Sequence, residues 1–246
     1  MKTIGIIPAR YGSTRFEAKP LADILGKSMV QRVWEQCKKS GLLDEVIIAT
    51  DDQRIYDHAV SFGAQVRMTK VDHQSGTDRC AEVLALLEKE GFSPELLVNI
   101  QGDEPLIDPK QIDDLVSFVY SRAEIELASQ YRIIEDSTLI ASPNTVKVVT
   151  SDTDRALYFS RSVIPFERKA IGVEVKKHVG MYAYRAKVLK AIASLEPSKL
   201  ELTESLEQLR WLANDFQIYM TSTDYPTIGV DTPEDLEKVE HILRSS

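Results

Sequence analysis

A chain of 246 residues, 43% of them hydrophobic and 28% charged, has enough apolar material for one large domain, or a domain with a small subdomain. Its formal net charge of -8 argues against a general nucleic-acid binder, which is usually basic overall. Cys37 and Cys80 are too few for a disulfide framework, the apolar run before Arg10 is too short for a signal peptide, and no stretch approaches the ~20 apolar residues of a membrane span, so a cytoplasmic protein without membrane insertion is expected.

In chain order, residues 3–7 form a short apolar run ended by Pro8, which predicts a buried strand. Ser28 is placed to cap a helix with Met29, Val33, Trp34 and Cys37 on one face. A strand at 46–49, a helix at 55–62 and a strand at 65–68 follow. Next come a helix at about 78–90, striped by Ala81, Leu84, Ala85 and Leu87, a strand at 96–100 and a helix at 111–121. This alternation predicts an α/β fold with an open, mostly parallel sheet and helices on both faces. The second half is less regular. It reads as strands at 125–131, 145–149 and 179–184, helices at 186–193 and 202–213, strands at 218–221 and 227–230, and a closing helix at 233–243. One domain over 1–246 is expected, with residues from about 125 to 225 as a subdomain whose hairpins also offer a subunit-pairing surface.

Chemistry concentrates where strands end. After the first strand, a loop of about a dozen residues carries Arg10, Arg15 and Lys19, with Gly12, Ser13 and Thr14 able to turn backbone N–H groups towards an anion. Three cations there suit a polyphosphate; ordinary surface salt bridges are the alternative. The loop has neither the GxxxxGK[ST] nor the GxGxxG pattern. The fourth strand runs straight into Gln101-Gly102-Asp103-Glu104-Pro105, which puts Asp103 at a carboxyl end, suited to Mg²⁺ or to a plain turn. Near the C-terminus, Thr232, Pro233 and Asp235 are explained as the start of the last helix, whereas Asp231 precedes the cap and stands as a second metal-ligand candidate. Ser75 and Gly76 precede a helix whose amino end favours electron-rich groups, a place for a base or ribose. His73 beside them is a possible general base or a simple hydrogen-bonding residue, and Asp51 and Asp52 are assigned to capping the next helix. In the second half, Arg161 and His178 are candidates to receive a carboxylate. Glu207 and Gln208, on a helix whose apolar face is Leu202, Leu206 and Leu209, are expected to project sideways or outwards.

Together the segments IIPARYGSTR…KPL, ATDD, DHQSGTDR, VNIQGDEPLI, KVV…ALYFSRSVIPF, HVGMYAYR, LEQLRWL and GVDTPEDLE resemble the 3-deoxy-manno-octulosonate (KDO) cytidylyltransferases, in order and over residues 4–239. The resemblance implies a Rossmann-like nucleotide-diphospho-sugar transferase fold, a mostly parallel mixed sheet flanked by helices with a small inserted dimerisation subdomain. It implies a Mg²⁺-dependent homodimer that joins CMP from CTP to an acidic 3-deoxy-octulosonate sugar for lipopolysaccharide synthesis. It makes Arg10, Arg15 and Lys19 the triphosphate cations, with Arg10, Lys19 and Asp103 catalytic. Ser75, Gly76, Arg79 and Gln101 become the cytidine set, and Asp103 and Asp231 the metal ligands. Arg161, His178, Tyr182, Glu207 and Gln208 become the sugar set. One departure stands out: the family reads R-[LF]-P-G-K-P-L where this chain has Arg15-Phe16-Glu17-Ala18-Lys19-Pro20-Leu21. Ala18 must then avoid positive φ or bear strain where glycine would not. A CMP-sialic acid synthetase and an enzyme for amino-substituted KDO are the nearest alternatives. YFSRSVIPF and LEQLR favour KDO over the first, and QGDEP and SLEQLR favour it over the second. A non-catalytic CTP sensor would need neither Asp103 nor Asp231.

Overall fold

The computed structural model describes residues 2–12, 16–169 and 171–245. The chain divides into two compact units, one made of the residues up to 117 together with those from 225 onwards, the other of 118–224.

The first unit begins with β1 (Thr3–Ala9). Ile4, Ile6 and Ile7 are fully buried, the unbroken apolar pattern of a strand covered on both faces. β2 (Asp23–Ile24) and β3 (Lys27–Ser28) form a hairpin that the sequence reading missed. Its two-residue loop, Leu25 and Gly26, has φ of 50° and 81°, as the primed hairpin turn demands. Ser28 then caps α1 (Met29–Cys37), accepting from the Gln31 N–H. β4 (Glu45–Thr50), α2 (Gln53–Ser61), β5 (Gln65–Met68), α3 (Gly76–Lys89), β6 (Leu96–Asn99) and α4 (Pro109–Ser121) follow. β1 pairs in parallel with β4 and β6, and β4 with β5, giving the order β6-β1-β4-β5. Every carboxyl end of this sheet therefore lies on one side, where ligands of open α/β sheets bind.

The second unit is mixed. β7 (Leu127–Ile134), the short α5 (Ser137–Ala141), β8 (Lys147–Thr150), β9 (Ala156–Ser160) and β10 (Val175–Arg185) lead to α6 (Ala186–Ala193). α7 (Lys199–Glu204), α8 (Gln208–Ala213) and β11 (Tyr219–Ser222) complete it. β10 runs antiparallel to β7 and β8, β8 antiparallel to β9, and β11 parallel to β7. Finally α9 (Pro233–Ser245) rejoins the first unit. There Val230 and Val239 share a fully buried cluster with Ile24 and Met29.

Several expectations need correction. The helix expected over 202–213 is two helices, because Ser205 takes the left-handed conformation at φ 52° and ends α7. Leu202 is 69% exposed, so it belongs to no core face, and Gln208, expected to project sideways or outwards, is 5% exposed. Residues 227–230 form no strand; the Val230 N–H instead donates to the Asp103 carbonyl.

Candidate active site

The phosphate-loop candidate leaves β1 at an exposed Arg10. Arg15 lies outside the described residues. The loop closes when the Ala18 N–H donates to the Tyr11 carbonyl at 3.1 Å, and the Arg54 guanidinium, forked onto Asp52, lies 3.3 Å from the Tyr11 ring centroid. Ala18 sits at φ 55°, ψ 22°. The strain that its sequence raises is therefore borne, at roughly 1–2 kcal/mol for an L-residue in this region. It turns the chain into a 3-10 turn, Lys19–Leu21, anchored by the buried Pro20.

That turn aims Lys19 at two acids from distant parts of the chain. Its Nζ donates to Asp103 Oδ2 at 2.7 Å, to the Val230 carbonyl at 2.9 Å and to Asp231 Oδ1 at 3.2 Å. Asp103 is placed there by Gly102, where a Cβ would come within 2.7 Å of the Pro8 carbonyl oxygen, so glycine alone lets the turn press on the end of β1. The Val230–Asp103 backbone bond (2.9 Å) ties that turn to the segment before α9. Capping of α9 is left to Thr232 and Asp235, as expected: the Asp235 N–H donates to Thr232 Oγ1 at 3.3 Å, and Asp235 Oδ2 accepts from the Asp231 and Thr232 N–H groups, each at 3.2 Å. Side-chain exposure is 15% for Lys19, 30% for Asp103 and 48% for Asp231, a polar site open on one side.

The donor set fits Mg²⁺. Among the described residues no group of three or more His, Cys, Asp and Glu is arranged to hold a metal, which argues against an all-protein cage. Mg²⁺ characteristically takes one or two carboxylates and completes its shell with water and substrate phosphate, and Asp103 and Asp231 bring two carboxylates to one point.

The start of α3 lies beside the same strand end. Gly76 sits against Pro8, with its Cβ position 3.4 Å from Pro8 Cγ and 3.2 Å from the Asn99 side chain. Ser75 and Asp78 form a reciprocal capping box. Gln101 is half-buried just past β6. Arg79 is a different matter, since it is 3% exposed and tied internally. It donates to Asp51 Oδ2 at 2.9 Å, to Thr69 Oγ1 and to the Lys70 carbonyl. Asp51 is thus not a cap; Asp52 alone caps α2. Nor does His73 stand free as a base, because its Nε2 pairs with Glu82 Oε2 at 2.5 Å. Burial raises the Glu82 carboxyl, but bonds from the Lys70 N–H and His73 outweigh it and hold it below the usual range.

In the second unit, His178 packs edge-on to Phe159 at 5.0 Å and tilted to Tyr182 at 5.4 Å. Ser129 Oγ lies 3.0 Å from His178 Nε2 and 2.9 Å from the Val179 and Met181 carbonyls. A hydroxyl has one proton, and the carbonyls can only accept, so the serine oxygen accepts from Nε2–H. Burial, reinforced by Lys177, pushes His178 down to about 3, so the ring is neutral. Burial, with Tyr184 and Glu207, holds the Tyr182 phenol well above its ordinary value. Glu207 precedes α8 and Gln208 opens it. Arg161 is engaged by backbone: Nε on the Glu204 carbonyl (2.7 Å), the two terminal nitrogens on the Pro143 (3.0 Å) and Ser205 (3.3 Å) carbonyls. Two neighbours support it, of which sequence reasoning missed Lys147. The fully buried Lys147 donates to the Arg161, Thr145 and Ser142 carbonyls, and Glu204 accepts from Ser160 Oγ and the Arg161 N–H. A lysine inside an apolar strand, Val146-Lys147-Val148-Val149, was the available signal.

Comparison with known proteins identifies the family. A family model described as cytidylyltransferase matches residues 4–220. The chain is 50% identical to the 3-deoxy-manno-octulosonate cytidylyltransferase of Parabacteroides distasonis, over 97% of this chain and 96% of that protein. It is 47% identical to the protein of the same name from Bacteroides thetaiotaomicron, over 100% and 99%. A solved structure of CMP:2-keto-3-deoxy-manno-octonic acid synthetase complexed with CTP superposes with a TM-score of 0.94 at 41% identity, covering 100% of this chain and 99% of that one. At 14% identity, 4-diphosphocytidyl-2C-methyl-D-erythritol synthase from Anaerococcus prevotii (TM-score 0.64; 99% and 96% covered) shares the fold. The fold is that of the nucleotide-diphospho-sugar transferases, and with this strand-end site it defines a nucleotidyltransferase enzyme. The chain belongs to the 3-deoxy-manno-octulosonate cytidylyltransferase family.

Proposed function

We propose that this chain transfers CMP from CTP to the anomeric hydroxyl of 3-deoxy-manno-octulosonate, giving CMP-KDO for lipopolysaccharide synthesis. The observation that carries the chemistry is the convergence of Asp103 and Asp231 on the Lys19 ammonium. In the reaction the anomeric oxygen forms a bond to the α-phosphorus. The bond from that phosphorus to the bridging oxygen of pyrophosphate breaks, and the hydroxyl proton is released. Such a transfer needs alignment and charge neutralisation rather than a covalent intermediate.

Asp103 and Asp231 would hold Mg²⁺, which neutralises charge at the α-phosphate and lowers the pKa of an oxygen bound to it. Lys19 carries positive charge to the α-phosphate, while Arg10 and Arg15 hold the departing pyrophosphate. Ser75, Gly76 and Gln101 line the cytidine site, and Arg79 shapes it from behind through Asp51. His178, Tyr182, Glu207 and Gln208 bind the sugar. His178 works as a neutral hydrogen-bonding ring, consistent with its depressed pKa. Arg161 takes a sugar carboxylate only by leaving its carbonyl partners. The exposed apolar side chains Val163, Phe166, Ile171 and Val173 support a homodimer that covers them. Among the described residues no helix is long and apolar enough to cross a membrane, in keeping with an enzyme acting on CTP in the cytoplasm.

Pyrophosphate release from CTP, measured with KDO, an amino-substituted KDO and a sialic acid, each with and without Mg²⁺, tests this reading. Release with KDO and Mg²⁺ is expected. CTP binding without release for any sugar would make the chain a sensor, and release with another sugar alone would reassign the substrate.

A further inference from the structure

Resting on the reaction just proposed, the geometry at Lys19 points to a second role for this residue. We propose that before nucleotide arrives its ammonium is the resident cation of the carboxylate pair, so that a divalent metal enters only as the lysine leaves. An ammonium has three N–H donors and no acceptor. Here all three find acceptors: Asp103 Oδ2 at 2.7 Å, the Val230 carbonyl at 2.9 Å and Asp231 Oδ1 at 3.2 Å. With 15% of its side chain exposed, Lys19 is not presented to solution as a ready phosphate ligand.

Charge favours an exchange over a shared site. Two carboxylates and one ammonium leave the cluster with a single negative charge, which attracts a cation. A divalent ion placed beside the ammonium meets like-charge repulsion, whereas one that replaces it brings the pair to neutrality. The backbone is built for the side chain to move alone. Pro20 is buried, the Leu21 N–H is bonded to the Ala18 carbonyl at 2.8 Å, and the Ala22 N–H to the Lys19 carbonyl at 3.1 Å. A lysine released from the acids becomes a mobile cation on a flexible stem, and a triphosphate arriving at the strand end offers it new partners. Nucleotide therefore frees the acids for metal, and by linkage metal frees the lysine for nucleotide.

Mn²⁺ binding in the absence of nucleotide, followed by the loss of its free-ion paramagnetic resonance signal, tests this. Lys19→Met, of similar length and without charge, is expected to bind Mn²⁺ about tenfold more tightly than the unmodified protein, the scale of two partly exposed ion pairs removed. Adding Asp103→Asn is expected to abolish the gain. In ¹⁵N-lysine-labelled unmodified protein, the Lys19 ammonium resonance, identified by its absence in Lys19→Arg, is expected to vanish as Mg²⁺ is titrated in. Equal or weaker Mn²⁺ binding by a folded Lys19→Met, no binding by either protein, or an ammonium signal that persists at saturating Mg²⁺ overturns the proposal. If the unmodified enzyme still releases pyrophosphate with Mg²⁺ in that case, only the placeholder role falls and the reaction stands.

Discussion

At the scale of single residues, adjacent side chains with the same chemistry do unlike work. Asp51 and Asp52 look equivalent in the sequence, yet Asp52 caps α2 and Asp51 holds the buried Arg79. Nothing local separates them, because the partner of Asp51 arrives from another helix. Asp103 and Asp231 were legible as strand-end and pre-cap acids. Their shared contact with Lys19, over sequence separations of 84 and 212 residues, belongs to the fold. Asp103→Asn keeps the shape and removes the charge, so the Mg²⁺ concentration needed for half-maximal rate should rise at least about tenfold; an unchanged Mg²⁺ titration would remove Asp103 from the metal site. Ala18 offers a test with the opposite sign. Glycine at this left-handed position relieves the steric penalty but makes the unfolded chain more flexible, so Ala18→Gly should stabilise by about 0.5–1 kcal/mol. Urea unfolding that shows a loss would mean the surroundings have already absorbed the strain.

Among elements, the strands of the first unit were readable because burial on both faces leaves an unbroken apolar run, as in Ile47, Ile48 and Ala49. The helix start at Ser28 was readable because the serine supplies the cap, whereas the caps at Ser75 and Ser198 were not read as such, and their helices begin at Gly76 and Lys199 rather than near 78 and 202. Breaks hidden in ordinary residues were not readable. Ser205 ends α7 in a left-handed conformation that its side chain does not announce, and the Leu25–Gly26 turn lacks the Asn-Gly signal of its type. The run 227–230 has strand-like composition but pairs as no strand; its one useful bond is from Val230 to Asp103. Gly102 gives the sharpest test of how elements meet. A methyl there would sit 2.7 Å from the Pro8 carbonyl oxygen, so Gly102→Ala should cost about 1–3 kcal/mol and, by shifting Asp103, slow turnover by up to about a hundredfold. Gly229→Ala, with nothing within 4 Å of the added carbon, is the control. Equal kinetics for the two variants would show that the turn tolerates displacement.

For the whole molecule, buried and paired groups set the response to acid. His178 ionises at about 3 in the fold and near 6.5 when unfolded. Between those values the unfolded chain binds more protons, so this histidine's contribution is complete above about pH 6.5 and declines as pH falls towards 3. Since the residue as a whole is only half-buried, the loss by pH 5 should be about 1–2 kcal/mol. Chemical denaturation at pH 7 and pH 5 should show that difference, and His178→Gln should remove it; a variant that keeps the full pH sensitivity would trace the effect to another group. Glu82, a carboxylate held below its usual range, adds to the same acid-side decline at lower pH.

The first unit is sewn from two separate stretches of chain, and the later one carries Val230, Asp231 and α9. During synthesis on a ribosome, the strands of that unit emerge first and wait while every residue of the second unit is made. Asp231 appears only after all of them, so a nascent chain holds its nucleotide cations long before it owns the second acid. Premature termination anywhere before it should leave a protein that folds in part yet has no complete carboxylate pair, which makes that late segment a natural checkpoint on activity.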